Sequence, residues 1–276
     1  MARVFIAGID ALEYSLVEKL NLRNIKQVEY GKVAVPCSKL LTPLIWASFI
    51  TGTSEHGIET FTVRRNPLIR LGGSFFEKMG ISSYKGPRHF LRRMSLKVGL
   101  FTSPVDKRDL QAKTIFDYAK KPVAISIPAY NEWEAIHKLR LEYPFVKIIE
   151  KHDEVKAAEC IELNWRIFQE KLEQTSRKLE EGSWDLLMVH FLILDTIGHL
   201  YWNRPGKVED AHRFMDVSIG RLLSKVEDQI VLIVSDHGMK NGVHTEYGFY
   251  SSNVKVGLVN PKITDFHDII LKELRR

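Results

Sequence analysis

At 276 residues, with 45% hydrophobic and 27% charged side chains, the chain is long enough to bury a substantial core, and one globular domain carrying an insertion is the expectation. The formal charge of +6 is a modest Lys and Arg excess; without zinc-finger spacing, an aromatic ribonucleoprotein motif or a basic block, it does not make nucleic acid the main partner. No apolar stretch reaches the ~20 residues of a membrane span. Cys37 and Cys160 form no metal-type or redox-type pair, so a reduced, cytoplasmic setting is expected.

The opening run MARVFIAGID lacks the apolar core and cleavage site of a signal peptide and reads as a strand, Val4 to Ile9, that delivers Asp10. A helical pattern follows from Ala11 to Leu20. Thr42-Pro43 before the apolar stretch Leu44 to Ile50 and Thr51-Gly52 reads as an N-cap, a first-turn proline and a helix stopped by glycine. Trp46 and Phe49 on that helix read as core, and His56 beyond it as a turn residue. From about 61 to 111 the pattern changes: Arg64, Arg65, Arg70, Arg88, Arg92 and Arg93 mix with Gly and Pro and show no strand period, which suggests an inserted cap.

Regular alternation then resumes. Strands are expected over Val123 to Ile127, Leu186 to Leu194 and Ile230 to Val234, and helices over Glu154 to Glu181, Val208 to Val226 and Asp265 to Leu274. In the first of these helices Glu, Lys and Arg alternate with Ile, Leu, Trp and Phe at three-to-four-residue spacing, so one face lies on the sheet. His190, inside an apolar strand, reads as a hydrogen-bonded core histidine. The expected fold is α/β, a central mostly parallel sheet with helices on both faces.

Three apolar runs lead into acids: Asp10, Asp195 and Asp236. Parallel strands bring such residues to one carboxyl edge, where ligands bind. Three adjacent carboxylates repel one another, and either protons or cations must relieve them. The neighbouring imidazoles, His199, His237 and His244, point to cations. Carboxylate and imidazole without thiolate suit Zn²⁺, Mn²⁺ or Fe, and the nitrogen share favours Zn²⁺. Thr42 has two readings of equal standing: a helix cap, or a nucleophilic hydroxyl where helix N–H groups attract phosphate.

The segments GID at 8–10, TPLIWASFITG at 42–52, LDTIGH at 194–199, SDHGM at 235–239 and NGVH at 241–244 resemble, in this order, the alkaline phosphatase superfamily, and within it the type I phosphodiesterase/nucleotide pyrophosphatase family. The last three elements are also similar to those of enzymes that transfer ethanolamine phosphate to glycolipid anchors. The resemblance implies an alkaline-phosphatase-like sheet and two divalent metal ions. Asp195, His199 and His244 would hold one; Asp10, Asp236, His237 and Thr42 the other. It also implies in-line attack by Thr42 through a phosphothreonine. The expected substrate is a small-molecule phosphoester such as a nucleotide, with a phosphomonoesterase as the near alternative and a metal-stabilised binding protein for an acidic partner as the distant one. Two positions depart from the phosphodiesterase pattern: proline stands one place after Thr42 rather than two, and Ile45 replaces an asparagine that would steady a phosphate oxygen. Oxyanion support then falls to the Thr42 or Leu44 backbone, the metals, Ser38 or Lys39. His212, Asp216 and Gly220 resemble part of a structural helix in the family.

Overall fold

A computed structural model describes residues 3–37, 39–54, 56–64 and 102–276. The chain divides into two compact units, Met1–Glu59 with Asp106–Arg276, and Thr60–Val105. In the smaller unit β3 (Thr62–Arg64) pairs antiparallel with β4 (Thr102–Pro104), a short ladder in a stretch for which the sequence showed no strand period. Arg65, Arg70, Arg88, Arg92 and Arg93 lie outside the described residues, as does Ser38.

The larger unit is built on β1 (Val4–Ile9), β2 (Glu29–Ala34), β5 (Pro122–Ile125), β6 (Leu186–Phe191), β7 (Ile230–Val234) and β10 (Tyr247–Ser252), in the spatial order β2-β10-β7-β1-β6-β5. β1 runs parallel to β6 and β7, and β5 parallel to β6, while β10 is antiparallel to both β7 and β2. The fold is therefore α/β with a mostly parallel sheet. VFIAGI, LLMVHF and IVLIV are buried at every position, because strands covered on both faces need no polar alternation. Edge strand β2 (EYGKVA) alternates instead, and this half-polar pattern hid it from the sequence reading; its partner β10 (YGFYSS) is almost wholly buried, but its Tyr, Gly and Ser residues make no apolar run.

Phe5, Val189 and Ile233 face one core with Phe168 and Leu172 of α6 (Glu154–Glu181) and Met215 and Ile219 of α8 (Pro205–Leu223). Ile6, Met188 and Leu232 face the other, with Trp46 and Phe49 of α2 (Thr42–Thr51) and Phe266 and Ile270 of α9 (Asp265–Leu274). Helix α6 starts where Asp153 accepts the Lys156 N–H at 3.1 Å and stops at Gly182, whose φ of 61° is left-handed.

Two boundaries differ from expectation. The N-cap of α2 is Leu41, and Thr42 is the first helical residue with Pro43 next, so Thr42 is not the cap. Strand β6 ends at Phe191 and α7 (Ile193–Leu200) begins two residues on. The apolar run Leu186 to Leu194 spans both because the first turn of α7 is as buried as the strand, and a continuous apolar run carries no period. Among the described residues no helix is long and apolar enough to cross a membrane.

Candidate functional site

Asp10 follows β1 directly, its N–H donating to the Phe191 carbonyl at 2.9 Å. Asp236 and His237 follow β7. Ser235 joins these two strand ends: its Oγ accepts the Leu12 N–H at 3.0 Å and donates to the His237 carbonyl at 2.6 Å. Asp195 lies in the first turn of α7 rather than at a strand end, and His199 is one turn on, the i,i+4 spacing that puts both on one helix face. The hairpin of β8 (Met239–Lys240) and β9 (Val243–His244) presents His244. Thr245 holds the foot of that hairpin, its Oγ1 accepting the Gly238 N–H at 3.0 Å and donating to the Tyr247 carbonyl at 2.9 Å.

Six of the seven expected site residues form two adjoining donor sets. In one, His199 Nε2 and His244 Nε2 each lie 3.3 Å from Asp195 Oδ1 and 2.9 Å from each other. Donors ~2.0–2.1 Å from a tetrahedral zinc stand ~3.3 Å apart, so this triangle matches one face of such a site. In the other, His237 Nε2 lies 3.2 Å from Asp10 Oδ1 and 3.4 Å from Asp236 Oδ2. The His237 and His244 rings stack with centroids 3.7 Å apart, linking the sets, and His237 also lies within reach of Asp195 and His244. His199 Nδ1–H donates to the Gly242 carbonyl at 3.1 Å and His237 Nδ1–H to the Gly238 carbonyl at 3.2 Å, leaving each Nε2 turned toward the acids, where a shared cation would sit. A backbone carbonyl on the far nitrogen is how ligating imidazoles are held.

The electrostatics agree with cation sites. Burial, then the charges of Asp236 and Asp195, pushes Asp10 well above the usual carboxylate range; burial likewise raises Asp236. Burial also works against Asp195, but the charge of His199 and hydrogen bonds from His199 and His244 outweigh it and hold Asp195 far below that range. Asp10 Oδ1 and Oδ2, Asp236 Oδ1 and Oδ2 and His237 Nε2 are buried and lack hydrogen-bond partners. Buried orphans of this kind call for a counterion. Two divalent cations fit the donor sets in number, charge and chemistry.

Thr42 is 4% exposed at the start of α2, and the Leu40 carbonyl two residues earlier is one of the groups that, with Asp195 and Asp236, favour the proton on His244, which places this turn near the site. The Leu44 N–H is committed to the Leu41 carbonyl at 2.9 Å and Pro43 has none, so the Thr42 N–H is the first-turn donor that remains for a phosphate oxygen. Cys37, part-buried with its Sγ 3.6 Å from Ser48 Oγ, has its thiol pushed up by burial, which makes it a poor nucleophile. His56 Nε2 meets Thr51 Oγ1 at 2.8 Å and serves the turn. Asp216 accepts the Asn24 and Ile25 N–H groups, both at 2.9 Å, and His212 Nδ1–H donates to the Val208 carbonyl at 2.8 Å, so both are structural.

His190 corrects the sequence reading. It is fully buried, yet neither ring nitrogen has a hydrogen-bond partner. Ser235, Thr245 and Glu13 escaped notice because hydroxyls and a lone Glu near turns carry no pattern. Glu13, 1% exposed, accepts from Ser15 Oγ at 2.7 Å and Tyr247 Oη at 3.0 Å and so ties the Asp10 loop to the His244 loop.

A further buried group lies behind β6. Lys171 of α6 is 1% exposed, with Nζ donating to the His190 carbonyl at 2.8 Å and standing 5.7 Å from the Trp133 ring centroid. Nearby, Arg140 and Glu132 form a bidentate pair. Burial lowers the Lys171 ammonium to about 7, against the pull of Glu132. The unfolded lysine keeps its usual value near ~10.4, so between these two pH values the unfolded chain binds the extra proton and stability rises with pH. Urea unfolding of the native chain and of Lys171→Met at pH 6.5 and 9.5 is expected to show a native-minus-variant difference that grows with pH by up to about 3 kcal/mol. Parallel pH profiles for the two proteins would refute it.

The mostly parallel sheet, with carboxylates and imidazoles gathered at one edge, defines a class by fold, the α/β proteins with an alkaline-phosphatase-like sheet. The alkaline phosphatase of the Antarctic bacterium TAB5 superposes with a TM-score of 0.50 at 10% identity, covering 99% of this chain and 97% of that one, a likeness of fold alone. The chain belongs to the type I phosphodiesterase / nucleotide pyrophosphatase family, whose profile matches residues 4–254. Among curated proteins it is 35% identical over 62 residues to GPI ethanolamine phosphate transferase 2 of Kluyveromyces lactis, which is 22% of this chain and 8% of that protein. It is 37% identical over 75 residues to the catalytic subunit of mouse GPI ethanolamine phosphate transferase 3, or 26% of this chain and 7% of that one. The matched segments thus span less than a tenth of these relatives.

Proposed function

We propose that this chain cleaves phosphodiester or pyrophosphate bonds, with Thr42 as the nucleophile and two divalent cations, zinc by preference, held by Asp195, His199 and His244 and by Asp10, Asp236, His237 and Thr42. The observation that carries the reading is the pair of donor sets at the sheet edge, with the Leu40 carbonyl, two residues before Thr42, acting on His244 of one of them. When bound, the cations supply neutralising charge and Lewis acidity. The Thr42 hydroxyl, deprotonated, adds to phosphorus in line with the leaving oxygen, whose bond breaks, giving a phosphothreonine that water then hydrolyses. The Thr42 N–H and the positive end of α2 face the developing charge on the phosphoryl oxygens. Four cationic charges offset three carboxylates and one alkoxide, and a near-neutral site accepts a singly charged diester, a nucleotide being the leading candidate. The cytoplasm is the proposed setting, supported by two free thiols, of which Cys160 is buried.

Release of nitrophenol from bis-p-nitrophenyl phosphate, with p-nitrophenyl phosphate as the competing monoester, tests the reading. Turnover requiring added Zn²⁺ or Mn²⁺, with the diester preferred, is expected. Monoester preference would move the chain to the phosphomonoesterase alternative, and no turnover on either ester by zinc-loaded protein would refute catalysis. The named activity of the two curated relatives favours a second reading, in which an alcohol rather than water accepts the phosphoryl group. Phosphorylated alcohol formed when ethanolamine is added to the diester assay would support it.

A further inference from the structure

His190 stands across from Gly8 in the β1–β6 register, and Asp10 lies two residues beyond Gly8. Side chains two apart in a strand direction share a sheet face, so Asp10 and His190 are diagonal neighbours on the face covered by α2. His190 Nε2 is 3.7 Å from Asp10 Oδ2, whereas the other oxygen of Asp10, Oδ1, faces His237. The Trp46 ring closes this corner. Its centroid lies 5.0 Å from that of His190 at an interplanar angle of 73°, and its edge occupies the space above Gly8, where a Cβ would come within 2.7 Å of it. The imidazole is thus sealed from solvent. Both of its nitrogens and both carboxylate oxygens lack hydrogen-bond partners. A buried imidazole without a partner is costly, and the facing Asp10 oxygen supplies one.

We infer that His190 is a positioning residue for the cation site of Asp10, Asp236 and His237: its Nε2–H donates to Asp10 Oδ2, which leaves Oδ1 as the single oxygen offered to the cation. This rests on the metal-site reading above. At 3.7 Å the pair stands just beyond hydrogen-bond length, and a small rotation of the carboxylate closes the gap. Trp46 and Gly8 then have a shared purpose. The glycine makes room for the indole, and the indole keeps water from replacing His190 as the partner of Asp10.

The test uses the full chain and zinc alone. Competition titration with a chromophoric chelator is expected to show two zinc sites in the native protein, one of which weakens by about 10–100-fold in His190→Phe while the other holds its affinity. His190→Gln, whose amide nitrogen reaches near the Nε2 position, is expected to restore most of the loss. A merely structural role would move the melting temperature of the metal-free chain or weaken both sites together, and would not be rescued by Gln. Independently of any variant's folding, long-range ¹H–¹⁵N spectra of the zinc-loaded native chain are expected to show His190 with its proton on Nε2. Unchanged zinc affinities in His190→Phe, or a His190 protonated at Nδ1 alone, overturn this inference and leave the metal centre standing. A native chain that binds no zinc overturns the metal centre and this inference together.

Discussion

Thr42→Ala is expected to lower kcat on bis-p-nitrophenyl phosphate by at least about 10³-fold while changing the melting temperature little. The two halves of this expectation separate the two meanings of the residue. Had Thr42 been the helix cap, alanine would cost about 1 kcal/mol of stability and leave the chemistry alone. The cap is Leu41, no side chain bonds the first-turn amides of α2, and alanine is a good first-turn residue, so the helix has no reason to weaken. Thr42 is 4% exposed at the head of that helix, and no side-chain cap bond ties its hydroxyl to the helix. Thr42→Ser keeps a hydroxyl and is expected to keep measurable turnover. Acid-quenching the native enzyme during turnover and digesting it should yield a phosphorylated peptide that contains Thr42. Turnover by Thr42→Ala at the native rate would remove Thr42 from the mechanism, whatever the metals do.

Asp236→Asn is expected to act in opposite directions on stability and on zinc binding. In the metal-free chain Asp236 is fully buried, both oxygens lack hydrogen-bond partners, and burial pushes its carboxyl up. A carboxyl raised in the folded state holds its proton where the unfolded chain has released it. Its contribution is therefore fully present below the usual carboxylate range and lost as pH rises through the raised value. Metal-free native protein at neutral pH carries that loss, and the neutral amide relieves it. With chelator present, Asp236→Asn is expected to be more stable than the native chain at pH 7, by on the order of 1–3 kcal/mol, and to lose this advantage toward pH 4. With zinc the order reverses, because the native chain gains binding free energy that the variant cannot. Chemical denaturation with chelator and with zinc, at both pH values, checks all four states. A variant less stable than the native chain in chelator at pH 7 would show that Asp236 is held by the fold rather than strained in it.

How far the sequence reaches is plain from particular elements. VFIAGI and IVLIV, short and rich in Val and Ile, read as doubly covered strands, and both lie where their apolar runs put them. Helix α6 begins after Asp153 and ends before Gly182, since cap chemistry and a 3.6-residue period are written into neighbouring residues. Asp10 follows its strand directly and Asp236 follows one residue after its own, and parallel pairing alone brings such positions to one edge.

Contacts between segments far apart in the chain were decided otherwise. Edge strand β2 finds its place only by pairing with β10, more than two hundred residues away, and alone it has neither a continuous apolar run nor a closed turn to mark it. Asp195 and His199 moved from a strand end to a helix face because a buried first turn is as apolar as a buried strand. His190 looks like any core residue in its strand; only the fold sets it beside Asp10, under Trp46, with Lys171 at its back. Local sequence thus singled out the carboxylates and imidazoles that the fold gathers, since residue types and the strand ends that deliver them are short-range properties. The tertiary structure alone decided how those side chains are held, because the groups that brace the loops carrying them, Ser235, Thr245, Glu13 and the Gly242 carbonyl, act across turns and strands that no local pattern connects.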